Sequence, residues 1–318
     1  MLKKVSPIFM AAMVVFIVNG LAFTSVSAQK GTFDPNTPVS NRAGMVTYDA
    51  NRAGDDASLE PFKGTGNLAP ETAREVSPHT RVAPMGGIHP ESVIGADGRT
   101  QPPNTTTFPS RAIAYLEVTW ANDIETACTG WFIGPRTVAT AGHCVFNTYG
   151  GAVHGWAKSI RIYPGRAGAT TPYGSTTAHR LFSALGWTES ANASFDYGAI
   201  QTNEALGNTV GWFKWAVVAS FSGNYVVQGY PGDKPEATQW KMGGPISDFN
   251  GYRLWYYMDT AGGQSGSPLY KVHNGQCCYG FGIHTYAASM PPYLGNSATR
   301  INAGVSKNFT NWRKQPYP

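Results

Sequence analysis

Residues 254–269 read LWYYMDTAGGQSGSPL. Leu254–Met258 is an aromatic, strand-like run, and Gly262, Gly263 and Gly266 surround Ser265 in the turn that follows. Glycines let the backbone bend tightly and turn its N–H groups outward. Such N–H groups can hold an oxyanion while a serine hydroxyl attacks a carbonyl. Gly-Ser turns are common, so the stretch gains meaning only if the chain also supplies a base and an acid.

Outward from this turn the chain keeps the same texture. Short runs of period-2 alternation are broken by Gly, Pro, Asn or Asp. Strands are expected at 112–119, 129–133, 137–140, 159–163, 197–201, 225–230, 252–258, 268–272 and 279–284. Helical spacing appears only at 303–314, where Val305, Phe309 and Trp312 recur. Many short strands over some two hundred residues imply an all-β sandwich or paired barrels with a terminal helix. Composition agrees: of 318 residues only 14% are charged, while 37 are Gly, 16 Tyr and 9 Trp, a profile of exported, loop-rich β proteins. Net charge is +5 with no basic run beyond Lys3-Lys4, so nothing supports a nucleic-acid surface.

The amino terminus has its own character. Lys3 and Lys4 precede a short apolar core, Ile8 to Val18, and Val26-Ser27-Ala28 offers small residues for cleavage, so 1–28 reads as a secretory signal peptide and the protein as secreted. Residues 29–91 hold three aromatics, with six Lys/Arg against eight Asp/Glu, net −2. This acidic segment, largely irregular, is expected to be a pro-segment, with a disordered linker as the alternative. The body then runs from Ser92 to Pro318.

Within the body, Thr137–Val145 (TVATAGHCV) ends a short strand in a small-residue turn carrying His143. Cys144 follows, and Cys128 lies sixteen residues earlier; a bridge between them would tie the histidine turn to the preceding strand. A candidate acid is Asp196 in FDYGAI, a single charge in an apolar stretch. Burial there is costly without a partner, and an imidazole N–H is a good one. A surface turn aspartate after Ser194 is the competing reading, and composition does not separate the two.

TAGHC, FDYGAI and GGQSGSP, in the order His, Asp, Ser, resemble the trypsin/chymotrypsin-like serine endopeptidases. SVIGADGRT, TGWFIGPRTVATAGHC, GNTVGWF and GYPGDK narrow the resemblance to the secreted glutamyl endopeptidases of Bacillus and its relatives. It spans almost all of 92–318. It implies two six-stranded antiparallel β-barrels with the site between them and a C-terminal helix. His143 would be the general base, Asp196 its orienter and Ser265 the nucleophile, with the N–H groups of Gly263 and Ser265 as oxyanion hole.

Specificity pulls two ways. Asp259, six residues before Ser265, stands where trypsin carries the aspartate that reads Lys or Arg. Gly282-Ile283-His284-Thr285, however, replaces the Ser-Trp-Gly of trypsins. The resemblance implies that His284 and Thr260 bind a substrate carboxylate, helped by the mature amine of Ser92, and donors suit a carboxylate. Asp259 is therefore expected to face away. Glu91 precedes Ser92, so the enzyme could make its own maturation cut.

Other expectations are smaller. Cys277 and Cys278 are adjacent where the family spaces them, leaving a vicinal disulfide or two free thiols. His154, His179 and His273 are expected on surface loops, and His79 and His89 lie in the pro-segment. No metal ligand set is apparent; the resemblance allows a structural calcium ion, but no Asp-rich loop appears, and no cofactor is expected. The expected partners are polypeptide substrates, with no nucleic acid, no membrane once the leader is removed, and a monomeric chain. The alternatives are a protease of Lys/Arg or broad specificity, and an inactive protease-like binding module.

Overall fold

The alternating runs of the body pair into two closed rings. The computed structural model describes residues 33–42, 60–71, 83–84, 92–150, 154–290 and 293–318. Residues 1–28, expected to be a signal peptide, much of the segment before Ser92, His79, His89 and Glu91 lie outside them.

The first ring runs Ile113–Thr119, Glu125–Phe132, Thr137–Thr140, Gly198–Thr202, Thr176–Ala184 and Ser159–Pro164, and the last strand pairs back with the first. The second runs Asn224–Gly229, Trp240–Phe249, Arg253–Tyr256, Tyr293–Arg300, Gln276–Met290 and Pro268–His273, and closes likewise. All these pairings are antiparallel. Closure removes the free edges that an open six-stranded sheet would expose. Leu116, Val138, Ile162, Leu181 and Ile200 are buried in the first barrel, and Val227, Leu254, Tyr256, Leu269 and Phe281 in the second. The fold class is therefore two antiparallel barrels with one C-terminal helix, and the sandwich alternative is set aside.

The helix Ala303–Arg313 begins where Asn302 accepts a hydrogen bond from Val305 N–H at its amino end. Its buried face, Val305, Phe309 and Trp312, packs on the first barrel. Trp312 stacks on Phe182 (ring centroids 5.7 Å) and Phe309 meets Trp131 edge-on (6.2 Å). Burying each such side chain stabilises by about 1.5–3 kcal/mol, so the chain end ties the second barrel's last strand back to the first barrel.

Several strands depart from expectation. Trp240–Phe249 is a full strand, although Gly243-Gly244-Pro245 reads as a turn; it is mostly half-buried or exposed, so its alternation is weak. Thr176–Ala184 carries His179-Arg180 at its centre, and Tyr293–Arg300 is largely polar. His179 and His273 accordingly lie on strands, half-buried, rather than on surface loops. His179 rests against Tyr317 and His273 against Tyr279 and Phe281. His154 is exposed.

The segment before Ser92 is not wholly irregular. Pro38–Ser40 adds a strand to Phe182–Ala184 on the first barrel. Phe62 bridges Trp212, with ring centroids 4.4 Å apart. Among the described residues no helix is long and apolar enough to cross a membrane.

Candidate active site

The histidine is placed by a strand end and a covalent tie. Thr137–Thr140 leads through Ala141 into a single 3-10 turn, Gly142–Cys144. Cys144 is bonded to Cys128 on the neighbouring strand, with Cα atoms 6.2 Å apart. Loops of this length are tied at a gain of about 3 kcal/mol in the chain-entropy picture. His143 is buried, and its ring Nδ1 donates to Asp196 Oδ2 at 2.7 Å while its backbone N–H donates to Asp196 Oδ1 at 2.9 Å.

Asp196 sits at the end of the 3-10 turn Ala193–Phe195 and is fully buried. The surface-turn reading of this residue is therefore wrong. Burial works to raise its carboxyl, but His143 and the hydroxyl of Tyr286 outweigh it and hold the carboxyl below its ordinary value. Tyr286 donates to Asp196 Oδ2. Thr299 Oγ1 donates to the Asp196 carbonyl at 2.9 Å, so the second barrel braces the acid of the first.

The serine turn packs directly on the histidine strand. Thr129 N–H donates to the Ser265 carbonyl at 2.8 Å, and Cys144 Sγ lies 3.6 Å from the same oxygen. A Cβ on Gly266 would stand 2.1 Å from the Thr129 carbonyl, so only glycine allows this approach. Ser265 is buried to 3% exposure. Gly263 adopts φ +99°; its carbonyl accepts from Thr129 Oγ1 at 2.9 Å, and the Gly262 carbonyl, in the peptide that carries Gly263 N–H, accepts from Gly232 N–H at 2.7 Å. His143, Asp196 and the Gly263–Ser265 stretch thus converge between the barrels from three separate turns.

Beside them lies a buried polar pocket. His284 is fully buried, and its Nδ1 shares a 2.6 Å hydrogen bond with the Tyr256 hydroxyl. Burial, then the charges of Arg253 and His143, push the imidazole down to about 3, so it is neutral near pH 7. Thr260 is also fully buried, and its Oγ1 has no hydrogen-bond partner. Such a group is expensive unless something else completes it. The Asp259 carboxylate accepts from Ile94 N–H (2.7 Å) and Gly98 N–H (2.8 Å), so it is occupied by the backbone of the 92–98 segment. Ser92 is exposed, and its N–H donates to Asn296 Oδ1 at 2.9 Å.

Sequence reasoning missed Tyr256, Tyr286, Arg253 and Asn296. The tyrosines were lost among core aromatics. Arg253 is buried, with its guanidinium bonded to the Ala193 carbonyl and the hydroxyls of Thr285, Thr299 and Ser297. The one available signal was the polar run Asn296-Ser297 and Thr299 in a strand whose neighbours are apolar. Cys277 and Cys278 are joined to each other.

Comparison with known proteins agrees with this geometry. The trypsin family model matches residues 99–303. The chain is 42% identical to the glutamyl endopeptidase of Bacillus licheniformis over 88% of each chain. It is 36% identical to the extracellular metalloprotease of Bacillus subtilis over 90% of each. Among solved structures, a Glu endopeptidase in complex with MPD superposes with a TM-score of 0.61 at 30% identity, covering 70% of this chain and all of that one.

The Bacillus subtilis name implies a metal. Among the described residues the cluster of donors able to hold an ion is Cys128, His143 and Cys144. Both its sulfurs are joined to each other and its imidazole is bonded to Asp196, so this donor set does not fit a metal. With its two barrels, its converging histidine, aspartate and serine, and relatives matched over most of its length, the chain belongs to the trypsin family and is a serine endopeptidase.

Proposed function

We propose that the protein is a secreted endopeptidase that cleaves after glutamate, made with a signal peptide (1–28) and a pro-segment (29–91) and acting as a monomer on polypeptides. Ser265 Oγ attacks the peptide carbonyl while His143 Nε2 accepts its proton. Asp196 holds the imidazole in the tautomer with Nδ1–H toward the carboxylate and stabilises the imidazolium that forms. The N–H groups of Gly263 and Ser265 take the developing oxyanion, a contribution worth about 10²–10³ in rate per donor. His143 then protonates the departing amine, and water repeats the sequence on the acyl-enzyme. No cofactor enters any step.

The observation that carries the glutamate preference is the pocket's donor set. Asp259, the residue that would attract Lys or Arg, has its carboxylate occupied by backbone N–H groups. In its place stand a neutral imidazole and an unpartnered hydroxyl. With Tyr256 donating to Nδ1, the His284 proton resides on Nε2, where it and the Thr260 hydroxyl can both donate to a carboxylate. The glutamyl endopeptidase relatives support the same reading. The test is a panel of matched substrates with Glu, Asp, Gln and Lys before the scissile bond, assayed alongside Ser265→Ala. The expected order is Glu, then Asp, with Lys uncleaved and the serine variant inert. Preferential cleavage after Lys would overturn the specificity, and retained hydrolysis by the serine variant the mechanism.

A further inference from the structure

Two stretches that the proposed chemistry leaves unused, GADGRT (95–100) and GYPGDK (229–234), meet behind the serine turn. Arg99 joins them. Its side chain is wholly buried, although both of its carboxylate partners reach solvent. Nε donates to Asp97 Oδ1 and Nη2 to Asp97 Oδ2, each at 2.9 Å, and Nη1 donates to Asp233 Oδ1 at 3.0 Å. Arg99 holds the Asp97 carboxyl below its ordinary value, so that carboxylate stays charged at any working pH. Thr100 anchors the arginine by exchanging backbone hydrogen bonds with Lys241, at 2.9 and 2.8 Å. Burying a cation is costly unless it is paired and its remaining donors are used.

One of those donors reaches the catalytic turn. Nη1 also donates to Gln264 Oε1 at 3.4 Å, and the same oxygen accepts from Ala261 N–H at 3.0 Å. Both partners are donors, so the amide can face them only with its oxygen. Gln264 is fully buried, and this orientation leaves its Nε2 without a partner. An unmet buried donor is destabilising, so the grip on the oxygen is kept at a cost. The two residues that Arg99 bridges adjoin the two peptides that matter to the oxyanion. The peptide between Gln264 and Ser265 carries the Ser265 N–H. The peptide between Gly262 and Gly263 carries the Gly263 N–H, and its carbonyl is held by the N–H of Gly232, the residue before Asp233. One guanidinium thus ties the supports of both oxyanion donors together.

We infer that Arg99 is a positioning residue for the oxyanion hole: by bridging Asp233 and the Gln264 side chain, it fixes the peptides whose N–H groups receive the developing charge. This rests on the oxyanion assignment above. Arg99 touches neither substrate nor reacting atom and acts through Gln264 and Gly232. The oxyanion exists only as the tetrahedral species forms, so a loosened hole lowers kcat and leaves KM nearly alone.

The experiment measures kcat and KM on the best substrate of the panel above, beside thermal melts, for the mature wild type, Arg99→Met, Gln264→Met and the double variant. Arg99→Met keeps the apolar stem and removes the donor fork; Gln264→Met removes the acceptor. Each should lower kcat about tenfold, part of the about 10²–10³ that a whole donor is worth, with KM held within about threefold. Because one residue acts through the other, the double variant should lose about as much as either single one, not about a hundredfold. Should Arg99→Met fail to fold, Arg99→Lys decides together with Gln264→Met. Lysine keeps the charge without the fork, so that variant should fold and still lower kcat about threefold or more. A folded Arg99 variant with parental kcat makes the residue a structural brace alone and overturns the inference, as does a double variant whose losses multiply. Gly263→Ala in the same assay separates the two readings. Parental kcat there sinks the oxyanion assignment itself, whereas a damaged Gly263→Ala beside unaffected Arg99 and Gln264 variants sinks this inference alone.

Discussion

Tyr286 donates its phenolic hydrogen to Asp196 Oδ2, the same carboxylate oxygen that accepts from His143 Nδ1. Burial and the neighbouring Asp196 charge raise the Tyr286 phenol well above its ordinary value, so it stays a donor at any working pH. The oxygen facing the imidazole is thereby shared between two donors. Tyr286→Phe removes one and leaves the carboxylate more basic, so His143 should hold its proton to higher pH. The acidic limb of kcat/KM should move up by about half a unit to one unit, and activity at neutral pH should fall about three- to tenfold. Superimposable pH profiles for the two enzymes would show that the shared oxygen has no part in tuning the base.

How much of this was legible beforehand depends on where each polar atom sits. His143, Asp196, Ser265 and Gly263 all lie in turns at strand ends, where a break in alternation makes the residue conspicuous. Tyr286 and Asn296 lie within strands, and Arg253 opens one, so inward and outward positions differ only by register. A bulge between His284 and Tyr286 changes that register at the pocket, and no pattern in the residues announces it. Tyr293–Arg300 escaped notice for a functional reason. Its polar residues Asn296, Ser297 and Thr299 are buried because they line the site, which reverses the polar-outside rule.

Asp259 gives a prediction that separates position from role. Its two carboxylate oxygens accept from Ile94 and Gly98, bonding the first residues of the body to the serine turn. Asp259→Ala leaves both N–H groups without that acceptor, at about 1–3 kcal/mol. For a domain of this size each kcal/mol is worth about 2–4 °C. A thermal melt should therefore fall by several degrees, while cleavage after Lys, absent in the parent, stays absent. If the parent cleaves after Lys and the variant does not, the carboxylate faces the pocket after all.

The buried imidazole of His284 makes stability depend on pH in a definite direction. Its value drops from 6.5 when exposed to about 3 in the fold. Between those limits the unfolded chain binds a proton that the native protein does not, so stability declines as pH falls from about 6.5 toward 3. The slope is at most about 1.4 kcal/mol per pH unit for one proton. Asp196 acts in a lower window: its depressed carboxyl contributes stability above the ordinary carboxylate range, lost only as pH falls through its folded value. Denaturant unfolding of Ser265→Ala, used to prevent self-digestion, should show the slope, and adding His284→Gln should flatten it above pH ~4. An equal slope in both proteins would mean that His284 titrates normally.

Gly263 has no side chain to contribute, yet its replacement should be among the most damaging in the chain. Its φ of +99° is strained for any L side chain, and a Cβ there would lie 2.6 Å from the Tyr230 carbonyl. The turn cannot shift freely to relieve the clash. Thr129 Oγ1 donates to the Gly263 carbonyl at 2.9 Å and accepts from Tyr230 N–H at 3.0 Å, clamping both sides of the contact. Gly263→Ala must therefore rotate the peptide that carries the oxyanion-binding N–H. Holding the native turn with alanine would cost about 1–3 kcal/mol, and turning the N–H away should lower kcat by about 10²–10³. Substrate binding in the His284 and Thr260 pocket does not use that N–H, so KM should change far less than kcat. Steady-state kinetics beside a thermal melt separate the two effects. A folded variant with near-parental kcat would remove Gly263 N–H from the transition state, whereas a rise in KM alone would make it a substrate-positioning group.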